Sequence, residues 1–289
     1  MSLFTIQKQM LALYPGNTFF MRYWFEANTL FLPQPAHIVV HQETMDHVPV
    51  EIIENKRQNK SKGRHLFYLH GGGFVIGSPR SYRPFVTRLG QRCYAETIWT
   101  PDYRKAPEHP FPAALDDVVL AWKVFLKRHG DGELLLAGDS AGGNLALALC
   151  VIARDQGLTL PEKVYLQSPW LDLTLSSSTH ERFDHRDPFL GTWYLERHFA
   201  RHYAKDTSRT DPLLSPLYAD LHGLPPFLVQ VGSREILLDD SRRFVKKAKD
   251  VGVDATLEVW RGLWHAWPQV PFVPESTTAR RQAAHWLAS

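Results

Sequence analysis

Ser140 sits at the centre of Gly138-Asp139-Ser140-Ala141-Gly142, between the strand-like run ELLLA and the apolar helical run AGGNLALALCVIA. A serine on a sharp strand-to-helix turn is lifted clear of the sheet. Glycines on either side let the chain make that turn without Cβ clashes. The N-terminus of the following helix supplies N–H groups and a positive dipole where an oxyanion would form. This is equipment for nucleophilic attack on a carbonyl carbon. Composition alone would produce the bare pattern in roughly one chain of this length in ten. The strand before it and the helix after it therefore carry the inference.

A glycine loop, His70-Gly71-Gly72-Gly73-Phe74, follows the apolar run HLFYLH (65–70). Two phosphate-binding patterns fail on it. Ile76 occupies the third glycine position of G-x-G-x-x-G, and Ser78 stands where a P-loop requires Lys. What remains is a loop whose N–H groups can converge on one anionic oxygen. His265, in Leu263-Trp264-His265-Ala266-Trp267, lies just past the run ATLEVW and downstream of the serine, where a general base belongs. The third group of such a triad, an acid, should come from the loop after FLVQV, which reads Gly232-Ser233-Arg234-Glu235-Ile236-Leu237-Leu238-Asp239-Asp240. Either Glu235 or Asp239 could orient the imidazole; Asp240 fits best as the N-cap of the next helix. Spacing alone does not decide.

These groups need a rigid frame, and the periodicity supplies one. HIVVHQ (37–42) and VPVEII (48–53) alternate apolar and polar residues, as two antiparallel strands do. Beyond them, strand-like runs at 65–70, 96–103, 133–138, 163–168, 227–232 and 255–260 are separated by helical patterns at 81–93, 112–130, 141–156 and 239–252, with another at 276–288. Such alternation predicts an α/β fold, a mostly parallel sheet flanked by helices. Two segments break it. Residues 1–36 are rich in aromatics, and residues 172–215 contain one long helical pattern, DPFLGTWYLERHFARHYA (187–204). Both are expected to form a helical lid on a single domain spanning 1–289.

Composition narrows the function classes. The 289 residues carry 33 Lys plus Arg against 30 Asp plus Glu, with no run of basic residues longer than two, so no basic stripe for nucleic acid is present. No apolar stretch approaches the roughly 18 residues of a membrane span. The N-terminus lacks a secretory pattern, which makes a cytoplasmic protein the expectation. Cys93 and Cys150 are expected to be free thiols. His198 and His202 have a zinc-like spacing but lack the Glu of H-E-x-x-H, and no metal is expected. Phe19, Phe20, Tyr23, Trp24 and Phe25 are expected to pack as lid rather than to dock on a membrane. Arg234, Lys246 and Lys247 read as solvated helix-face charges.

The motifs HGGGF, DYRKAPEHPFPAALDD, GDSAGGNLAL, SPWLDL, DPLLSPL, LPPFLVQVGSREILLDDS and GLWHAW occur in an order that resembles the hormone-sensitive-lipase-like carboxylesterases, over roughly residues 38–288. The resemblance implies an α/β-hydrolase fold with a helical lid. It also implies hydrolysis of short-chain acyl esters, a small-molecule substrate, and neither metal nor organic cofactor. By matching positions it makes Ser140 the nucleophile and His265 the base, with Gly72, Gly73 and Ala141 as oxyanion donors and His70, Gly71 and Asp139 in support. The family's acid loop, G-x-x-D-x-L-x-D, puts Glu235 at the catalytic Asp and Asp239 at the second, supporting one. Glu235 is a departure from that pattern, as is Lys105 where Leu is usual. Related receptors have lost the catalytic histidine, which His265 argues against. Acyl transfer and amide cleavage could use the same triad, and the oligomeric state stays open.

Overall fold

The alternating runs become eight strands of one sheet, ordered β1-β2-β4-β3-β5-β6-β7-β8. The computed structural model describes residues 18–29, 36–56 and 63–289. Residues 1–17 and 30–35 of the expected N-terminal lid lie outside the described residues. β1 (Ile38–Met45) and β2 (Val48–Asn55) form the expected antiparallel hairpin, and β2 also runs antiparallel to β4 (Thr97–Pro101). β3 (Arg64–Leu69), β5 (Glu133–Asp139), β6 (Lys163–Gln167), β7 (Phe227–Gly232) and β8 (Ala255–Trp260) join β4 in parallel.

Each central strand is buried on both faces, and successive side chains divide between two apolar clusters. Phe67, Leu69, Leu134 and Leu136 face the cluster that holds α3 (Ala113–His129) and α4 (Ser140–Asp155). Leu66, Tyr68, Leu135 and Ala137 face the one formed with α2 (Pro79–Arg92) and the C-terminal Pro274–Ala288 helix. A sheet covered on both sides explains why these strands read as continuous apolar runs.

Strand order fixes where the site sits. From β3 the chain moves outward to β4, then returns to place β5 on the other side of β3. The loops leaving β3 and β5 therefore diverge and leave a crevice at their carboxyl ends, the usual ligand position in such sheets. The glycine loop follows β3, and Ser140 follows β5.

The insertion at 172–215 departs from expectation. The helix expected over 187–204 begins only at Thr192, after a short α5 (Ser178–Phe183). Asp187 Oδ1 accepts the N–H groups of Phe189 (2.9 Å) and Leu190 (3.1 Å), fixing a turn in place of a first helical turn. The helix, α6, then runs through Thr192–Tyr194, a π-helical Leu195–Ala200 and Arg201–Ala204. In α7 (Leu238–Asp250), Leu237 occupies the cap position expected for Asp240. Asp240 is fully buried within the first turn, where Oδ2 accepts the N–H groups of Leu171 and Asp172, both at 3.0 Å. Lys247 is not simply solvated; it donates to the carbonyls of Leu217 (2.9 Å) and Ala219 (2.6 Å).

One packing feature predicts acid sensitivity. The rings of His65 and His129 stack 3.9 Å apart, and burial lowers both imidazoles to about 4 from 6.5. Well above pH 6.5 neither folded nor unfolded chain protonates them, so they leave stability unchanged. As pH falls from 6.5 towards 4 only the unfolded chain takes up those protons, and stability drops. The urea midpoint should fall across that window, and less steeply in His129→Leu. An equally steep fall in the variant would contradict this origin.

Candidate active site

Ser140 adopts φ +51°, a left-handed conformation uncommon for a residue with a side chain. The elbow is held there by packing. A Cβ on Gly142 would lie 2.0 Å from the Leu69 carbonyl oxygen, so only glycine lets α4 approach the end of β3 this closely. Asp139 ties the elbow to the glycine loop, because Oδ1 accepts from the Tyr68 hydroxyl and the Gly71 N–H, both at 2.8 Å. Burial raises the Asp139 carboxyl above its ordinary value, against the opposing effect of these donors.

His265 arrives on the loop after β8 and is only 5% exposed. Its Nε2 lies 3.1 Å from Ser140 Oγ and its Nδ1 lies 3.0 Å from Glu235 Oε2. Of the two candidate acids, Glu235 is the one that meets the imidazole. It is fully buried, with Oε1 accepting the Ser168 hydroxyl at 2.9 Å and the Gly232 N–H. Asp239 lies partly exposed in the first turn of α7, its backbone N–H donating to Thr179 Oγ1 at 3.2 Å. Burial pulls the His265 imidazole down. The hydrogen bond and charge of Glu235, with Asp187 and Asp139 behind it, outweigh that pull and leave it above 6.5.

Gly72 and Gly73 share a cavity of about 70 Å³ with Ser140 and His265. Gly73 has φ +61°, and a Cβ there would meet the Phe199 ring at 2.3 Å, so the π-helical segment rests directly on the glycine loop. Ala141 follows Ser140 in the first turn of α4, where helix N–H groups have no intrahelical acceptor. The apolar wall comes from outside the sheet: Met21, Trp24 and Phe25 from α1 (Thr18–Thr29), and Phe189, Leu190, Tyr194, Leu195 and Phe199 from the insertion. The N-terminal aromatics therefore divide, since Phe19 and Tyr23 are exposed.

His70 stays outside the cavity. Its ring stacks on Tyr103 at 4.3 Å and its Nδ1 lies 2.7 Å from the Gly71 carbonyl, so it props the loop. Burial, with the charge of Lys105 beside it, lowers it to about 3 and keeps it neutral. Lys105 otherwise pairs with Asp102 at 2.5 Å. His198 is buried among aromatic rings. Among the described residues no group of three or more His, Cys, Asp or Glu is placed to hold a metal. Both cysteines are free and buried, and burial pushes both thiols up. No helix among the described residues is long and apolar enough to cross a membrane.

Three residues at the site carry no spacing signal. Ser168 ends the strand-like run 163–168 and opens SPWLDL, and Asp187 and Phe189 are part of a helical pattern. Asp187 is 1% exposed, and burial raises its carboxyl to about 6. Phe189 lies with its ring centre 6.2 Å from that of His265.

The family described as alpha/beta hydrolase fold matches residues 66–269. An acetyl-hydrolase of Streptomyces hygroscopicus is 39% identical over 84% of this chain and 81% of its own. An esterase of Acinetobacter venetianus is 36% identical over 82% of this chain and 78% of its own. A solved esterase of the bacterial hormone-sensitive lipase family superposes with a TM-score of 0.91 at 35% identity, covering 99% of this chain and 96% of its own. With the fold, the elbow and these relatives in agreement, the chain belongs to the α/β-hydrolase family, in its hormone-sensitive-lipase-like branch of esterases.

Proposed function

We propose that the protein is a serine carboxylesterase acting on short acyl esters. The observation that carries this is the continuous hydrogen-bonded line Ser140–His265–Glu235, with steps of 3.1 and 3.0 Å, opening into a small apolar cavity. His265 Nε2 takes the hydroxyl proton as Ser140 Oγ attacks the ester carbonyl. The N–H groups of Gly72, Gly73 and Ala141 receive the developing oxyanion, and the imidazolium is stabilised by Glu235. His265 returns its proton to the leaving alcohol. Water, deprotonated by the same imidazole, then releases the acid and restores the serine. Every step uses groups of this chain. The helix Thr18–Thr29 and the 172–215 insertion act as the lid, excluding water from the reacting carbonyl.

Acyl length tests the substrate class. The cavity is about 70 Å³ and lined by Phe199 and Tyr194, so acetyl and butyryl esters should react much faster than palmitoyl esters of the same alcohol. Rates rising steadily to long chains would contradict the assignment. The acid limb tests the base. Attack needs neutral His265, and that imidazole is held above 6.5, so kcat/KM should be lost as pH falls through a midpoint above 6.5. A limb below pH 6 would contradict the assignment of His265.

A further inference from the structure

We infer that Ser168 is a positioning residue that clamps the unusual glutamate acid to the base, leaving only one carboxylate oxygen to face His265. This rests on the triad reading above. Ser168 follows β6, is fully buried and has φ +46°. Its backbone is fixed by an N–H bond to the Gln230 carbonyl at 2.8 Å. A carboxylate only accepts, so the single Ser168 proton must go to Glu235 Oε1 at 2.9 Å. The hydroxyl lone pairs are then free to accept, and they meet the N–H of Ala266, next to the base, at 3.4 Å. Two residues on, the Trp170 N–H donates to the Ser140 carbonyl at 3.0 Å. One short segment therefore touches the acid, the loop of the base and the nucleophile.

The need for such a clamp comes from the acid itself. Glutamate has one more rotatable bond than aspartate, and holding a longer side chain in one rotamer costs more conformational entropy. Here Oε1 is pinned from two directions, by the Ser168 hydroxyl and the Gly232 N–H, and Oε2 is left for His265 Nδ1. Ser168 holds the carboxylate in register without touching the reacting atoms.

Ser168→Gly is the test, because φ +46° suits glycine and the change removes only the hydroxymethyl group. One hydrogen bond to a charged group corresponds to a fall in kcat of roughly 10- to 100-fold, with KM within about twofold of wild type. In a Glu235→Gln background the same change should cost less than about threefold, since the carboxylate it positions is gone. Ser168→Ala repeats the test with a Cβ retained. Unchanged kcat, a loss confined to KM, an equal loss in both backgrounds, or failure of both variants to fold would overturn the assignment. Failure of the triad reading would show separately, as an active Glu235→Gln single variant.

Discussion

Ser140→Ala is expected to lower ester turnover by about six orders of magnitude, leaving the fold and substrate binding largely intact. In the proposed mechanism the hydroxyl forms the covalent bond, and in the structure its Oγ meets His265 Nε2 at 3.1 Å. Backbone forces, not the side chain, hold the left-handed elbow: alanine meets the same φ of +51° that serine tolerates, and the glycine contacts around it do not change. Thermal unfolding and kcat measured on one preparation separate the two effects. Wild-type-like turnover by a folded variant would remove Ser140 from the mechanism.

The second large effect distinguishes the two acids. Glu235→Gln should fold normally and lose about four orders of magnitude in kcat. The amide oxygen can still accept from Ser168 and the Gly232 N–H, which leaves the NH₂ facing His265 Nδ1. An imidazole that accepts at Nδ1 carries its proton on Nε2 and cannot take one from Ser140. Asp239→Asn should keep near-normal turnover and lose about 0.5 kcal/mol, the worth of a carboxylate near a helix N-terminus. Steady-state kinetics with urea unfolding on both variants decides this. An inactive, stable Asp239→Asn beside an active Glu235→Gln would transfer the role to Asp239.

The sheet was legible because its strands follow simple rules. Runs such as HLFYLH and ELLLAG are buried on both faces, and the two runs expected as an antiparallel pair do pair as β1 and β2. Ser140 and His265 were legible because each falls where a strand ends, so chain position and spatial position coincide. The acid was harder. Glu235 and Asp239 lie on one loop, and only the turn Gly232–Glu235 determines which of them points at the imidazole. The insertion was least legible. Its apolar spacing is helical from 187 to 204, yet Asp187 offers its side chain to the N–H groups of Phe189 and Leu190 and outcompetes the first turn. Asp240 departs from its expected cap position for a similar reason, since its partners Leu171 and Asp172 are distant in sequence. Ser168 carried no periodic signal because its importance lies in touching two loops that meet only in the folded chain.

Covalent capture of the nucleophile tests the central claim most directly. A fluorophosphonate mimics the tetrahedral intermediate and bonds to a serine only when a base removes its proton and donors hold its oxygen. Intact-mass and peptide analysis should show one adduct per chain, on Ser140, with activity falling in step with labelling and labelling nearly abolished in His265→Ala. An adduct on a different residue, or full activity in a fully labelled protein, would contradict the account.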